Sequence, residues 1–570
     1  MKRTVIIMLF SAFCSAWCAG AQNKKKVGTG SKAIENVECL FDAAFEVKTA
    51  TILSKEEARK KGVPLALVRN SNEKLAIMAK GADGELQPFY MRGIEVGFWD
   101  TRRKGSDTDY DKVFEAYRKL GANAAMFMIH WSDIEPQDGR FDFTYTDGIL
   151  EKAKRHGVKI VWVLFMHEQF DMPFLTAPED LWMYNLDTRD GDNYAIQWVK
   201  DKEGNIIKDI KTQRERKYSE IMPCYSHPVV YGRIVRMLGQ LASHYKDSED
   251  VIGVQIGNEE HISYQGEDAD FNPYTLEAFE KWKEETGETS WNRFKLGIVK
   301  LWFSRFTTAF HLQDPYKITM MNPIAGGPEK GETGIIDRSG TDATTFRDSK
   351  IDAIATMFYW PSALNIWKNL DQVYRVNDTW SYPTRLPLLM STEIGIRSLN
   401  TWPYTQEYMV GFLERGSQGF AVYSYGHVGN PEGETNEYGE YYRKFMAMVA
   451  ANEDIIWPGL PGTGDNISIT ATYGGGKVSC LHNGNGQTLG ILHFPDDMPD
   501  ETKESRIDIP VEVRGNEAGG YRIEIYKDGI LTETHKENLA AAKGKVFYIN
   551  ISNKEVAFIK VTKGNEIMKK

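Results

Sequence analysis

VIGVQIGNEE, residues 251–260, and LPLLMSTE, residues 386–393, each run an apolar stretch into a glutamate. An apolar run of this length without polar alternation reads as a strand buried on both faces, as in a parallel sheet. A carboxylate at the end of such a strand stands at its C-terminal mouth. In a (β/α)8 barrel that mouth is where active sites are built. Two carboxylates facing each other there are the minimum apparatus for cleaving a glycosidic bond. Glu259 and Glu393 are therefore the candidate catalytic pair.

Outward from these two segments, a strand–helix alternation repeats eight times between Phe89 and about Trp457. The predicted strands are Tyr90–Val96, Ala124–His130, Lys159–Phe165, Val251–Ile256, Ile318–Asn322, Ala353–Phe358, Leu386–Ser391 and Gly419–Ser424. Between them, Asp111–Leu120 is amphipathic and stops at Gly121, Tyr231–Tyr245 carries apolar residues at helical spacing, and Thr275–Thr286 begins beside Pro273 and stops at Gly287. The stretch from Met166 to about Pro228 breaks the rhythm. It is polar and follows a strand end, so it reads as a lid over the catalytic face or as a plain surface insertion.

The flanks have other patterns. Residues 22–87 read as an irregular, charged N-terminal arm with one hairpin, Leu75–Lys80 and Pro88–Arg92 about Gly81-Ala82-Asp83-Gly84. From about Ile467 short alternating strands take over. Tyr521–Tyr526, the turn Lys527-Asp528-Gly529 and Ile530–His535 form a hairpin, and Val546–Ile551 and Glu555–Val561 follow. The fold class is thus α/β: a TIM barrel (88–457) with an N-terminal arm (22–87) and a C-terminal β-sandwich domain (458–570). For the sandwich, carbohydrate binding is one reading and structural support of the barrel the leading one, since fold alone does not license function.

Residues 1–21 read as a signal peptide. Lys2 and Arg3 precede the mostly apolar Thr4–Phe13, and Ala19-Gly20-Ala21 is an A-x-A cleavage site. A periplasmic or secreted protein is expected. Cys18 as a lipoprotein cysteine fits less well behind the bulky Trp17. No later run is long and apolar enough for a membrane span. A formal charge of −10 argues against nucleic acid as a partner. The 14 Trp and 27 Tyr suit sugar stacking and a large core equally well. Cys39, Cys224 and Cys480 fit no metal motif and read as buried hydrophobes, with at most one bridge. His167-Glu168 and Asp171 lack the spacing of a zinc helix, and no Gly-rich phosphate loop sits on a strand–helix turn, so neither metal nor cofactor is expected. The oligomeric state is left open.

A retaining glycosidase needs an acid for the leaving oxygen and a nucleophilic carboxylate across the anomeric carbon. Strands four and seven of one barrel can supply them. Gly257-Asn258-Glu259 resembles the Asn-Glu motif of the retaining glycosidase clan built on such barrels. That resemblance implies that Glu259 is the acid/base and that Glu393, in Ser391-Thr392-Glu393, is the nucleophile. Gly121–Val163, GANAAMFMIHWSDIEPQDGRFDFTYTDGILEKAKRHGVKIVWV, is similar to β-galactosidases of glycoside hydrolase families 35 and 42 in its Trp, Glu-Pro, Gly and Phe-Asp-Phe. It implies a retaining exo-β-glycosidase, first of all a β-galactosidase acting on a carbohydrate. The alternatives are a β-mannosidase, a β-glucosidase, an endo-β-glycanase, or a carbohydrate-binding protein on a decayed barrel. The chain departs from both families at Gly93-Ile94-Glu95 and in the long segment after strand three.

For substrate contacts, Asn258 is expected to donate to the sugar 2-hydroxyl, and Tyr359, at the end of strand six, to bond Glu393. Trp131, Trp360, Trp402, Tyr425 and His427 fall near strand ends, and one or two of the rings should stack on a sugar. Glu135-Pro136 reads as a structural loop. Glu260 should point away from the side that Glu259 faces, because successive residues near a strand end alternate.

Overall fold

The computed structural model describes residues 46–81, 83–97, 108–166, 224–258, 263–264, 267–268, 272–322, 349–354, 357–358, 388–396, 401–464, 467–472, 476–494, 506–541 and 543–564. The expected signal peptide and nearly all of the long segment after strand three lie outside them.

Eight parallel strands close into a barrel. They are Met91–Val96, Ala124–His130, Lys159–Phe165, Val251–Ile256, Ile318–Met321, then Ala353–Ile354 with Met357–Phe358, Leu388–Leu389 with Ser391–Gly395, and Gly419–Tyr423. Each pairs in parallel with the next, and the eighth returns to the first through Gly419 opposite Met91. Alternation separates the two cores of such a barrel. Met126 and Met128 face the interior with Val161 and Val163. Phe127 and Ile129 face the surrounding helices with Trp162 and Val254. Gly253 in strand four is required by close approach, because a Cβ there would lie 2.0 Å from the carbonyl oxygen of Ile318 in strand five.

The helices start and stop where side chains satisfy their ends. Pro228–Tyr245 begins three residues before the expected Tyr231, with Pro228 at its first turn and His227 as N-cap. Pro273–Thr286 is capped by Asn272 and ended by Gly287 at φ 72°.

The N-terminal region is more ordered than an arm. Ile52–Leu53, Leu65–Arg69, Leu75–Lys80 and Leu86–Pro88 form a four-stranded sheet in chain order. The helix Lys55–Lys61 joins the first two, with a Ser54/Glu57 capping box. Leu65, Leu67, Leu75 and Ile77 join the barrel's interior core, so this sheet plugs the N-terminal end of the barrel. Val68 and Met78 on its other face pack with Trp457, whose Nε1 donates to the Ile77 carbonyl at 2.8 Å. The hairpin partner is Leu86–Pro88, not the expected Pro88–Arg92. Met91 and Arg92 pair instead with Gly419 and Phe420, since they open the barrel's first strand.

Asp352 ties that floor to the barrel. Its carboxylate accepts from the Ala50 amide (3.0 Å), the Thr319 amide and hydroxyl (2.8 Å each) and His311 Nε2 (2.6 Å), all buried. Asp352→Ala leaves these donors without their acceptor. We expect a loss of about 3–5 kcal/mol, the scale of leaving several buried donors without their acceptor. It should read as a lower urea midpoint with unchanged slope. A loss below about 1 kcal/mol would show the cluster to be dispensable.

Lys74 is buried at the same junction, and its ammonium donates to the Gly459 carbonyl at 2.9 Å. Burial pulls it down to about 7 from an ordinary 10.5. A depressed lysine destabilises the fold fully below its folded value. That cost fades as pH rises toward the unfolded value. Lys74→Met should therefore stabilise by roughly 2–4 kcal/mol at pH 6 and by little at pH 10, with the lost hydrogen bond deducted. A gain independent of pH in denaturant titrations would refute the titration argument.

The C-terminal region is a sandwich. One sheet holds six strands, including Lys477–His482, Gln487–His493, Ala557–Gly564, Gly519–Lys527 and Ile530–Leu539. The other holds Ile467–Ala471, Arg506–Gly515 and Gly544–Ser552. Ile469, Val511 and Ile549 meet Ile523, Ile559 and Val561 between them. The expected hairpin turns on Asp528-Gly529 at φ 52° and 78°, the two positive values of a type I′ turn. Its tip rests on Ala447 of the barrel helix Glu437–Ala450. Cys224 is buried with its Sγ 3.4 Å from the Thr275 hydroxyl, and burial pushes the Cys480 thiol up to about 12. Among the described residues no helix is long and apolar enough to cross a membrane.

Candidate active site

Glu393 lies inside strand seven, with Ile394 and Gly395 still to come. Leu388 and Met390 face the barrel interior, while Ile394 faces the helices. Strict alternation from Met390 would send Glu393 outward. The pairing with strand eight slips between Ser391 and Ile394, a bulge that adds one residue and turns Glu393 inward. There it is 2% exposed.

Asn322, directly after strand five, donates from Nδ2 to Glu393 Oε1 at 2.7 Å. The same Nδ2 donates to Asn258 Oδ1 at 3.2 Å. Gln255 Nε2 in strand four also donates to Asn258 Oδ1, at 3.0 Å, and to the Gly257 carbonyl at 3.2 Å. Three carboxamides and one carboxylate thus join strands four, five and seven, each at most 6% exposed. An ionised carboxylate only accepts, so the Asn322 atom facing it is the amide nitrogen. That choice makes the facing Asn258 atom an oxygen, and the facing Gln255 atom a nitrogen. The bond to Glu393 therefore sets the direction of all three amides. Gly257, at φ 74°, turns the chain out of strand four to deliver Asn258.

Glu259 follows Asn258 immediately in the chain. It lies outside the described residues, as do Tyr359 and Trp360. Glu95 of strand one is wholly buried, alternating with the outward Ile94 and Val96, so a second carboxylate lies within the barrel.

The other aromatic candidates sit elsewhere. Trp131 opens a single helical turn after strand two, is buried in the outer core, and donates Nε1 to Glu135 Oε2 at 2.6 Å. Tyr425 is buried against Tyr117, with its hydroxyl on the Asn430 carbonyl at 2.9 Å. Trp402 is buried against Tyr441 and donates Nε1 to the Lys554 carbonyl of the sandwich at 3.0 Å. Their rings are packed against protein, each at most 3% exposed. His427 bonds the Ile396 carbonyl through Nδ1 at 2.7 Å, tying the turn after strand eight to the end of strand seven. Glu135 is structural. It also accepts from the Gly139 amide at 2.6 Å and pairs with Arg236, while burial raises its carboxyl. Among the described residues, no three metal-ligating side chains come together.

Sequence reading missed Asn322 and Gln255. The signal for Asn322 was present: a polar residue closes the apolar run ITMM, as Asn258 closes its own.

A family model for β-galactosidases, that of glycoside hydrolase family 42, matches residues 103–308. The match takes in strands two to four with Asn258 and Glu259 and stops before Glu393. The β-galactosidase BbgII of Bifidobacterium bifidum is 21% identical over 207 residues, which are 35% of this chain and 26% of that protein. A β-galactosidase of Geobacillus kaustophilus is 25% identical over 210 residues, 36% of this chain and 27% of that protein. The chain thus covers about a quarter of the length of these relatives. Among solved structures, a family 39 glycoside hydrolase from the gut symbiont Bacteroides cellulosilyticus WH2 aligns over 88% of both chains, at 13% identity and TM-score 0.44. A β-galactosidase from Marinomonas ef1 aligns over 64% of this chain and 60% of that one, at 12% identity and TM-score 0.42. The barrel and the family match together make this a glycosidase-like chain. Within that class its likeness is to the β-galactosidases.

Proposed function

We propose that this chain is a retaining exo-β-glycosidase, with β-galactosides as its substrates and a secreted or periplasmic location. The observation that carries the reading is the buried Glu393 carboxylate, turned to the barrel interior by a bulge and bonded through Asn322 to the residue before Glu259.

In the first step Glu393 attacks the anomeric carbon. The bond to the leaving oxygen breaks, and that oxygen takes the bond's electron pair together with a proton from Glu259. In the second step water attacks the same carbon, Glu259 takes the water's proton, and the Glu393 ester bond breaks. Asn258, with its oxygen engaged, presents Nδ2 to the sugar 2-hydroxyl. The two carboxyl groups should lie about 5–5.5 Å apart for this chemistry.

A panel of nitrophenyl β-glycosides, with the product anomer followed by proton NMR, tests it. Turnover of the galactoside with first-formed β-product supports the reading. First-formed α-product would overturn the retaining mechanism. Preference for another sugar would move the substrate, and no turnover on any glycoside would favour a binding protein.

A further inference from the structure

We infer that Asn322 is a positioning residue whose two amide hydrogens act at once: one holds Glu393 ionised and aimed, and the other fixes which end of the Asn258 amide meets the sugar. The inference rests on the reading of Glu393 as nucleophile.

The geometry is specific. Asn322 is 1% exposed, and its Nδ2 reaches Glu393 Oε1 at 2.7 Å and Asn258 Oδ1 at 3.2 Å. An amide nitrogen has two hydrogens, so both are used. Asn322 Oδ1 is buried and accepts from no donor among the described residues. Flipping the amide would turn that oxygen toward a carboxylate and toward a second carbonyl oxygen, and lose both bonds. The orientation is therefore determined, and it propagates. Asn258 Oδ1 takes bonds from Asn322 and Gln255, leaving Nδ2 as the end that can donate outward. A hydrogen bond to an ionised carboxylate favours its charged form. It also removes rotational freedom from the attacking oxygen, and small misplacements of a reacting group are costly.

Covalent trapping separates the two effects. An activated 2-deoxy-2-fluoro glycoside of the sugar that wild type turns over has no 2-hydroxyl, so its trapping rate reports attack by Glu393 without the Asn258 contact. Wild type should gain one glycosyl unit, on the peptide that holds Glu393. Asn322→Ala should slow trapping by roughly 10- to 100-fold. It should also move the acidic limb of the trapping rate up by about one pH unit. On the ordinary 2-hydroxy substrate its loss in kcat/KM should be larger than its loss in trapping, because Asn258 is released as well. Asn322→Asp keeps the volume should the alanine variant fail to fold. It sets a second carboxylate against Glu393 and should shift the acidic limb further.

A folded Asn322→Ala with wild-type trapping and an unmoved acidic limb overturns the inference. Equal losses on the two substrates overturn its second half, the hold on Asn258. Label on a peptide other than that of Glu393 in wild type overturns the nucleophile reading itself, which is a distinct result.

Discussion

Glu393→Ala should lower kcat by on the order of 10⁴-fold, the scale felt when a covalent nucleophile is removed. Added azide should then restore turnover. Alanine leaves a space at the point where the carboxylate faced the anomeric carbon. A small anion can enter it and attack from the same side. The bond it forms is stable, because azide is a poor leaving group compared with a carboxylate. The product should therefore be a glycosyl azide of inverted configuration, identified by its anomeric proton coupling. Asn322 loses its partner in this variant and is left with Asn258 alone. Glu393→Gln is thus the informative companion. It keeps the volume, places an amide against an amide, and should be inactive without rescue, because no space is opened. Residual activity within tenfold of wild type in the alanine variant would remove Glu393 from the nucleophile's role.

The barrel was legible because its strands are buried on both faces and so read as unbroken apolar runs. Even ITMM and the divided sixth strand fell where expected. The N-terminal sheet was less legible for the same reason in reverse. LALVR and LAIMAK are apolar on both faces because one face plugs the barrel and the other meets Trp457. Beside the charged helix KEEARKK they looked like an arm. Glu393 was proposed from its position after an apolar run. The device that turns it inward, a slip between Ser391 and Ile394, depends on pairing with strand eight, which no local pattern encodes. The described aromatic candidates Trp131, Trp402 and Tyr425 are buried. Trp131 and Tyr425 each begin a single helical turn directly after a strand, and that turn sends their rings into the outer core. Proximity to a strand end in sequence does not say which side of the barrel a ring will take. Asn322 closes an apolar run as Asn258 does, but only distance, here 2.7 Å to Glu393, marks it as a site residue.

Glu259→Ala should divide substrates by their leaving groups. A sugar or alkyl leaving oxygen is too basic to depart as an anion, so loss of the acid should slow it by about 10²–10⁴-fold, the usual worth of a placed proton donor. A dinitrophenolate leaves unaided, and its first step should be nearly unaffected. Its second step still needs a base, so the glycosyl-enzyme should accumulate as a burst. Azide needs no deprotonation and should relieve that step, giving a glycosyl azide of retained configuration, opposite to the product of Glu393→Ala. The pH profile carries the same assignment. The acid must be protonated when substrate arrives and the nucleophile ionised, so kcat/KM should trace a bell whose limbs belong to the coupled pair. Glu259→Gln should remove the alkaline limb for an activated aryl substrate and leave the acidic one. Equal slowing of every leaving group, or an alkaline limb that survives in Glu259→Gln, would assign the acid elsewhere. If Glu260→Ala gave the leaving-group pattern instead, the acid would be one position on, and Asn258 would have to reach the sugar from a different turn of the chain.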